Sequence, residues 1–92
     1  MDFEYSWDGR KARANLAKHG VSFEEASSVF VDPLAITYPD DEHSLGEERF
    51  LTFAKSSAGR VLVVAHTEID RGIRIISARK AGKPERKIYE QG

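Results

Sequence analysis

The stretch RVLVVAHTEIDRGIRIISARK, residues 60–80, decides the fold. Val61 to Ala65 is apolar at every position, so both faces of that segment are covered, as in a central strand. Asp70-Arg71-Gly72 is a short hairpin connection, and a second strand follows over 72–79. Upstream, ERFLTFAK (48–55) reads as a further strand, joined to the first by Ser56-Ser57-Ala58-Gly59. Leu34, Ile36 and Tyr38 alternate with Ala35 and Thr37, which adds one more. Strands with such short connections pair as an antiparallel meander.

The N-terminal third reads differently. Phe3, Tyr5 and Trp7 alternate with Glu4 and Ser6, a half-buried strand. Asp8 is an N-cap, the helix after it runs to His19, and Gly20 supplies the left-handed stop. Ala12, Leu16, Asn15 and His19 fall on its inner side. Ser22-Phe23-Glu24-Glu25 is a capping box: Ser22 can accept from the Glu25 N–H, and Glu25 can reach back. Val21 and Ala26 are spaced as a hydrophobic staple, and Phe23, Ala26, Val29 and Phe30 line one helical face up to Asp32-Pro33. Trp7 and Phe23 read as core. Pro39 to Gly46 is an acidic loop holding His43. Gly82-Lys83-Pro84 opens a last helix with Pro84 at its first position. The order β-α-α-β-β-β-β-α makes an α+β fold, a single domain over 1–92 with two N-terminal helices on one face of the meander.

Composition sets outer limits. Hydrophobic residues are 40 % and charged residues 32 %, a globular balance. No apolar run approaches the roughly 18 residues of a membrane span, and Met1-Asp2-Phe3-Glu4 does not resemble a secretory leader. The absence of cysteine removes disulfides, thiolate zinc sites and thiol catalysis. A soluble, cytoplasmic protein is expected. The net charge of −1 hides an asymmetry: residues 22–48 carry eight acidic side chains and no lysine or arginine, whereas 71–92 carry seven basic and two acidic ones. A basic end of this kind can hold a polyanion locally, or simply pair with the acidic middle.

Several chemistries lack their motifs. His19, His43 and His66 have no metal-ligand spacing, and Asp40-Asp41-Glu42 lacks the pattern of a calcium loop. No phosphate-cradling glycine loop and no nucleophile elbow is present. What remains is Arg74-Ile75-Ile76-Ser77-Ala78-Arg79-Lys80. Guanidinium groups grip phosphate in bidentate fashion and stabilise charge growing on a pentavalent phosphorus, while one polar side chain moves a proton. The nucleophile can then be the RNA 2′-hydroxyl itself. Arg49, Arg86 and Tyr89 converge on the same end if the last helix folds back. Regular alternation places Arg74 and Ser77 on opposite faces, so a bulge or a sheet edge is needed to unite them. The plainer readings are surface ion pairs for the arginines and for Glu48-Arg49, a helix-end cap for His19, and a hydrogen-bonded core or groove residue for His66.

Taken together, Trp7-Asp8, Asn15, the block Lys18-His19-Gly20-Val21-Ser22-Phe23-Glu24-Glu25-Ala26, Phe30, Asp32-Pro33, Glu48-Arg49-Phe50, the block Arg74 to Ala81, Glu85-Arg86 and Tyr89 resemble the BrnT family of type II toxin–antitoxin toxins. The resemblance runs through nearly the whole chain. It implies a RelE-like fold and metal-independent endoribonuclease activity, without a cofactor. It also implies neutralisation by a BrnA-like ribbon-helix-helix antitoxin, through which alone operator DNA is bound. On the matching blocks, Arg74, Ser77, Arg79 and Tyr89 fall to the catalytic site, with Glu48 or His19 as the base. Arg49, Lys80, Arg86 and Lys18 fall to RNA contact. Ala65-His66-Thr67 departs from the pattern, in which an aromatic residue is expected. The near-neutral net charge implies weak intrinsic RNA affinity. The alternative of another class is a non-enzymatic module, an inactive toxin homologue that only binds its partner.

Overall fold

In the computed structural model, residues 3–92 are described; Met1 and Asp2, on which part of the leader reading rests, lie outside them. The elements run β1 (Glu4–Ser6), α1 (Gly9–His19), α2 (Phe23–Ser27), β2 (Ile36–Pro39), β3 (Arg49–Lys55), β4 (Val61–Ile69), β5 (Gly72–Lys80) and α3 (Lys83–Gln91). Short 3-10 turns cover Ser28–Val31 and Asp41–His43. The five strands form one sheet in the order β1-β5-β4-β3-β2. Strands β2 to β5 are the antiparallel meander, and β4, which begins with the apolar run Val61 to Ala65, is central. Among the described residues no helix is long and apolar enough to cross a membrane.

Alternation along the strands divides the sheet into two unlike faces. Ala54, Leu62, Val64, Ile75 and Ala78 point to the side covered by α1 and α2, where they enclose Val21, Phe23, Ala26 and Val29. Phe23 is fully buried, and burial of a side chain of that size is worth roughly 1.5–3 kcal/mol. Phe23 is core as read, and the half-buried Trp7 packs edge-on against it at 5.9 Å. On the reverse face, α3 folds back over Phe53 and Val63 and leaves the rest of that face open.

Four local features depart from the sequence reading. Strand β1 pairs in parallel with β5, a contact between chain ends that no local pattern announces. It lies so close that a Cβ on Gly72 would sit 1.8 Å from the Glu4 carbonyl oxygen, so only glycine fits there. The helix after Ser22 stops at Ser27 and tightens into the first 3-10 turn instead of reaching Asp32. The capping box is half made: Ser22 Oγ accepts from the Glu25 N–H at 3.0 Å, but the Glu25 carboxylate turns to Ser56 Oγ (2.6 Å) and Arg60 Nε (3.0 Å). In the last helix Pro84 is the second residue, since Lys83 already belongs to the helix.

The short β1 pairs with β5 only as far as Arg74, so the outer edge of β5 beyond it lacks a strand partner. Asn15, buried on α1, supplies one. Its Oδ1 accepts from the Ala78 N–H at 3.1 Å and its Nδ2 donates to the Ala78 carbonyl at 2.8 Å. The same Nδ2 donates to the Val21 carbonyl at 3.0 Å. One side-chain amide thus replaces a neighbouring strand at Ala78 and ties down the turn after α1.

Removing that amide strands a buried N–H and two carbonyls. Asn15→Ala is expected to lower stability by about 3 kcal/mol, read as a lower urea midpoint. Glu25 is held below its ordinary value, chiefly by the Arg60 hydrogen bond. A lowered carboxylate pKa stabilises the fold above the unfolded value, and that contribution fades as pH falls through the folded one. Glu25→Gln is therefore expected to destabilise the protein at pH 7, with the gap to the native chain narrowing as pH falls below the ordinary carboxylate range in urea titrations.

Candidate active site on the open face of the sheet

Three cross-strand rows build the open face. Arg49, Thr67 and Arg74 are in register in the first, Leu51, Ala65 and Ser77 in the second, and Phe53, Val63 and Arg79 in the third. Strict alternation would have placed Arg74 on the helical face. The register slips between Ala65 and His66, because Ser77 faces Ala65 while Ile75 faces His66 and Ile76 is the extra residue. This bulge brings Arg74 onto the same side as Ser77 and Arg79.

The resulting groove has a volume of about 340 Å³, with Arg49, Ser77 and Arg79 among its lining residues. Ala65 forms part of its floor, and the loop after β2 contributes Asp40, Glu42 and His43 to its rim. Carboxylates already occupy the guanidinium groups. Glu47 reaches Arg74 at 2.6 Å and Arg49 at 3.5 Å. Glu85 takes Arg79 in a bidentate pair at 2.7 and 2.6 Å and caps the Gly82 N–H at 2.7 Å. The Arg79 hydrogen bond holds the Glu85 carboxyl below its usual value. The Nε–H of Arg49 is buried and unpartnered among the described residues. His43 Nδ1 lies 2.9 and 3.1 Å from the two carboxylate oxygens of Asp40. Among the described residues no three His, Asp or Glu side chains group as metal ligands.

The structure thus brings Arg49, Arg74, Ser77 and Arg79 to one face. It does not bring the other candidates to them. Lys18 and His19 end α1, on the helical side of the sheet. Glu48 lines a separate depression with Glu47, Phe50, Thr67 and Glu68, and unlike Glu47 it falls one residue out of phase with Arg49. Lys80 shares the parity of Ala78 and so leaves β5 on the helical side. Arg86 is exposed on α3, with Nη1 3.4 Å from the Ala81 carbonyl. Tyr89 packs beside Phe53 and Val63, but its hydroxyl donates to Asp32 Oδ2 at 2.7 Å, away from the groove. His66 is a buried core residue, between Phe30 (4.8 Å, edge-on) and Phe50 (5.9 Å, stacked). Its Nε2 meets Thr52 Oγ1 at 2.7 Å, and burial pushes its pKa down to about 4. A base so placed is neutral at working pH and faces away from the groove.

Sequence reasoning missed Glu47, Asp40 and His43. Glu47 was findable, since it shares the parity of Arg49, Leu51 and Phe53, the side of the strand that carries the groove. The Asp40–His43 pair sits in a loop without periodicity, and only its spacing of three residues hinted at contact.

A family model described as "Ribonuclease toxin, BrnT, of type II toxin-antitoxin system" matches residues 7–85. No curated protein sequence matches. The 1.1 Å crystal structure of the ribonuclease toxin BrnT from Brucella abortus is similar in fold, with a TM-score of 0.69 at 20 % identity, over 89 % of this chain and 100 % of that one.

The Tyr89 hydroxyl joins α3 to Asp32, which also accepts from the Lys55 N–H at 2.8 Å and the Leu34 N–H at 2.9 Å. Tyr89→Phe is expected to cost about 1 kcal/mol at neutral pH by urea denaturation.

Proposed function

Since the chain belongs to the BrnT family of ribonuclease toxins of type II toxin–antitoxin systems, we propose that it is an endoribonuclease whose open-face groove cleaves single-stranded or messenger RNA without a metal ion. The observation that carries this reading is the bulge at Ile76, which puts Arg74 on the same face of the sheet as Arg49, Ser77 and Arg79, the three that line the groove. A fold with no use for that face would gain nothing from aligning three arginines there.

In this reading a scissile phosphate displaces Glu47 and Glu85 from the guanidinium groups. Arg74 and Arg79 then hold its non-bridging oxygens, and their fixed positive charge stabilises the dianionic pentavalent phosphorus. The buried, unpartnered Nε–H of Arg49 is a further donor awaiting an acceptor, which supports an anion as the natural occupant. Ser77, between the two arginine rows, is placed to orient a ribose or phosphate oxygen. The ribose 2′-hydroxyl is the nucleophile, so cleavage needs no bound water or cation.

A type II toxin has a protein antitoxin as partner. For this chain the partner is a BrnA-like ribbon-helix-helix protein, and operator DNA is reached only through it. The fold is RelE-like, with the catalytic groove on the uncovered face of the meander, and the protein acts in the cytoplasm.

The test is cleavage of RNA by purified, antitoxin-free protein in excess chelator, with and without ribosomes. Arg79→Ala and Arg74→Ala are each expected to lower the rate by about 10²-fold, with circular dichroism unchanged. Undiminished cleavage by the double variant would remove the arginine mechanism. A folded native chain that cuts nothing under either condition is a binding module instead.

A further inference from the structure

The open face carries both arginine rows, but none of the bases read from the sequence lines its groove. Glu48 and His19 lie elsewhere, Tyr89 is bonded to Asp32, and Glu47 and Glu85, the counter-ions of the arginines, are not among the groove's lining residues. We propose that His43, oriented by Asp40, is the general base that takes the proton from the attacking 2′-hydroxyl. The proposal rests on the ribonuclease reading of the groove and adds the residue that reading lacks.

Three observations carry it. First, His43 lines the same groove as Arg49, Ser77 and Arg79. Its side chain is 63 % exposed, so a substrate can reach the ring, whereas that of Asp40 is only 13 % exposed. Second, the ring is already turned. Its Nδ1 faces the Asp40 carboxylate at 2.9 and 3.1 Å, which fixes the proton on Nδ1 and leaves the Nε2 lone pair as the acceptor. An acid that holds an imidazole in one tautomer, with the free nitrogen turned to a hydroxyl, is a recurrent base arrangement. Third, the pair is anchored to the phosphate-binding row. The Asp40 N–H donates to the Arg49 carbonyl at 2.8 Å. Ser44 Oγ donates to the Asp40 carbonyl at 2.7 Å and accepts from the Arg49 N–H at 3.0 Å. The loop therefore cannot shift without moving the start of β3.

The step balances. Nε2 takes the 2′-hydroxyl proton as the 2′-oxygen bonds to phosphorus. The bond from phosphorus to the 5′-oxygen breaks, and that oxygen takes a proton from solvent. The products are a 2′,3′-cyclic phosphate and a free 5′-hydroxyl. His43 returns its proton to solvent, and no oxidant, metal or further reactant enters. The charged groups lining the groove with the imidazole are Asp40, Glu42, Arg49 and Arg79.

The experiment is single-turnover cleavage of an RNA oligonucleotide by the full chain across pH, for the native sequence, His43→Ala and Asp40→Asn. Binding is read separately with a 2′-O-methylated oligonucleotide, which cannot be cut. His43→Ala is expected to slow cleavage by about 10²–10⁴-fold with binding unchanged. It should also lose the decline of rate toward acid pH and recover in part with added imidazole. Asp40→Asn should slow cleavage by at least about tenfold, through loss of the oriented tautomer. Native rate and pH profile in His43→Ala, beside loss of cleavage in Arg79→Ala, overturn the base assignment and leave the ribonuclease reading standing. Slow cleavage that imidazole does not restore, with weakened binding, makes His43 a binding residue and also overturns the proposal. No cleavage by the native chain overturns both.

Discussion

Asn15 holds the architecture together where β5 runs on past its short neighbour β1. Strand β1 is three residues long, and beyond Arg74 the outer edge of β5 has no neighbour. The Asn15 amide takes both hydrogen-bonding groups of Ala78 and carries α1 onto the sheet. Ala78 lies between Ser77 and Arg79. The bond that seats the helix on one face therefore fixes the backbone that aims the two groove residues out of the other. The core side and the groove side are two readings of one strand position.

The second constraint is the bulge. Ile75 and Ile76 are adjacent apolar residues in a strand that otherwise alternates, and that doubled position is the trace a bulge leaves in a sequence. Without the slip, Arg74 would join the helical face, and Glu47 would lose one of its two guanidinium partners. With it, the groove becomes three parallel rows, two ending in arginines. The middle row is Leu51, Ala65 and Ser77, and the small Ala65 side chain leaves room for a ligand.

Much of the fold was legible because its signals are local. The meander follows from short turns between apolar runs, and α1 from the Asp8 cap and the Gly20 stop, whose φ is 69°. Pairing between β1 and β5 was not legible, since it joins segments nearly 70 residues apart with no pattern shared between them. The Glu25 carboxylate eluded the local rule for a related reason. A capping box competes with any distant cation, and Arg60 offers a bidentate partner where the Ser22 N–H offers one bond. In the site, the arginines and Ser77 were visible by residue type. Of the two glutamates before β3, strand phase tells which one meets the arginines of the open face, and it selects Glu47. His66 illustrates the limit of residue type: a titratable ring became a neutral core spacer, joined through Thr52 to Thr37.

Glu47 and Glu85 also act as built-in counter-ions. An arginine groove that is bare in solution gathers mobile anions and exchanges salt with the medium when a nucleic acid arrives. Here the neutralising charges are tethered to the chain, one before β3 and one on the first turn of α3. Under the proposed ribonuclease reading, a phosphate entering this groove trades places with a carboxylate that then swings into water. Binding becomes an exchange of anions, so its dependence on salt is shallower than three arginines alone would give. The free chain therefore carries its three arginines largely offset by two tethered carboxylates.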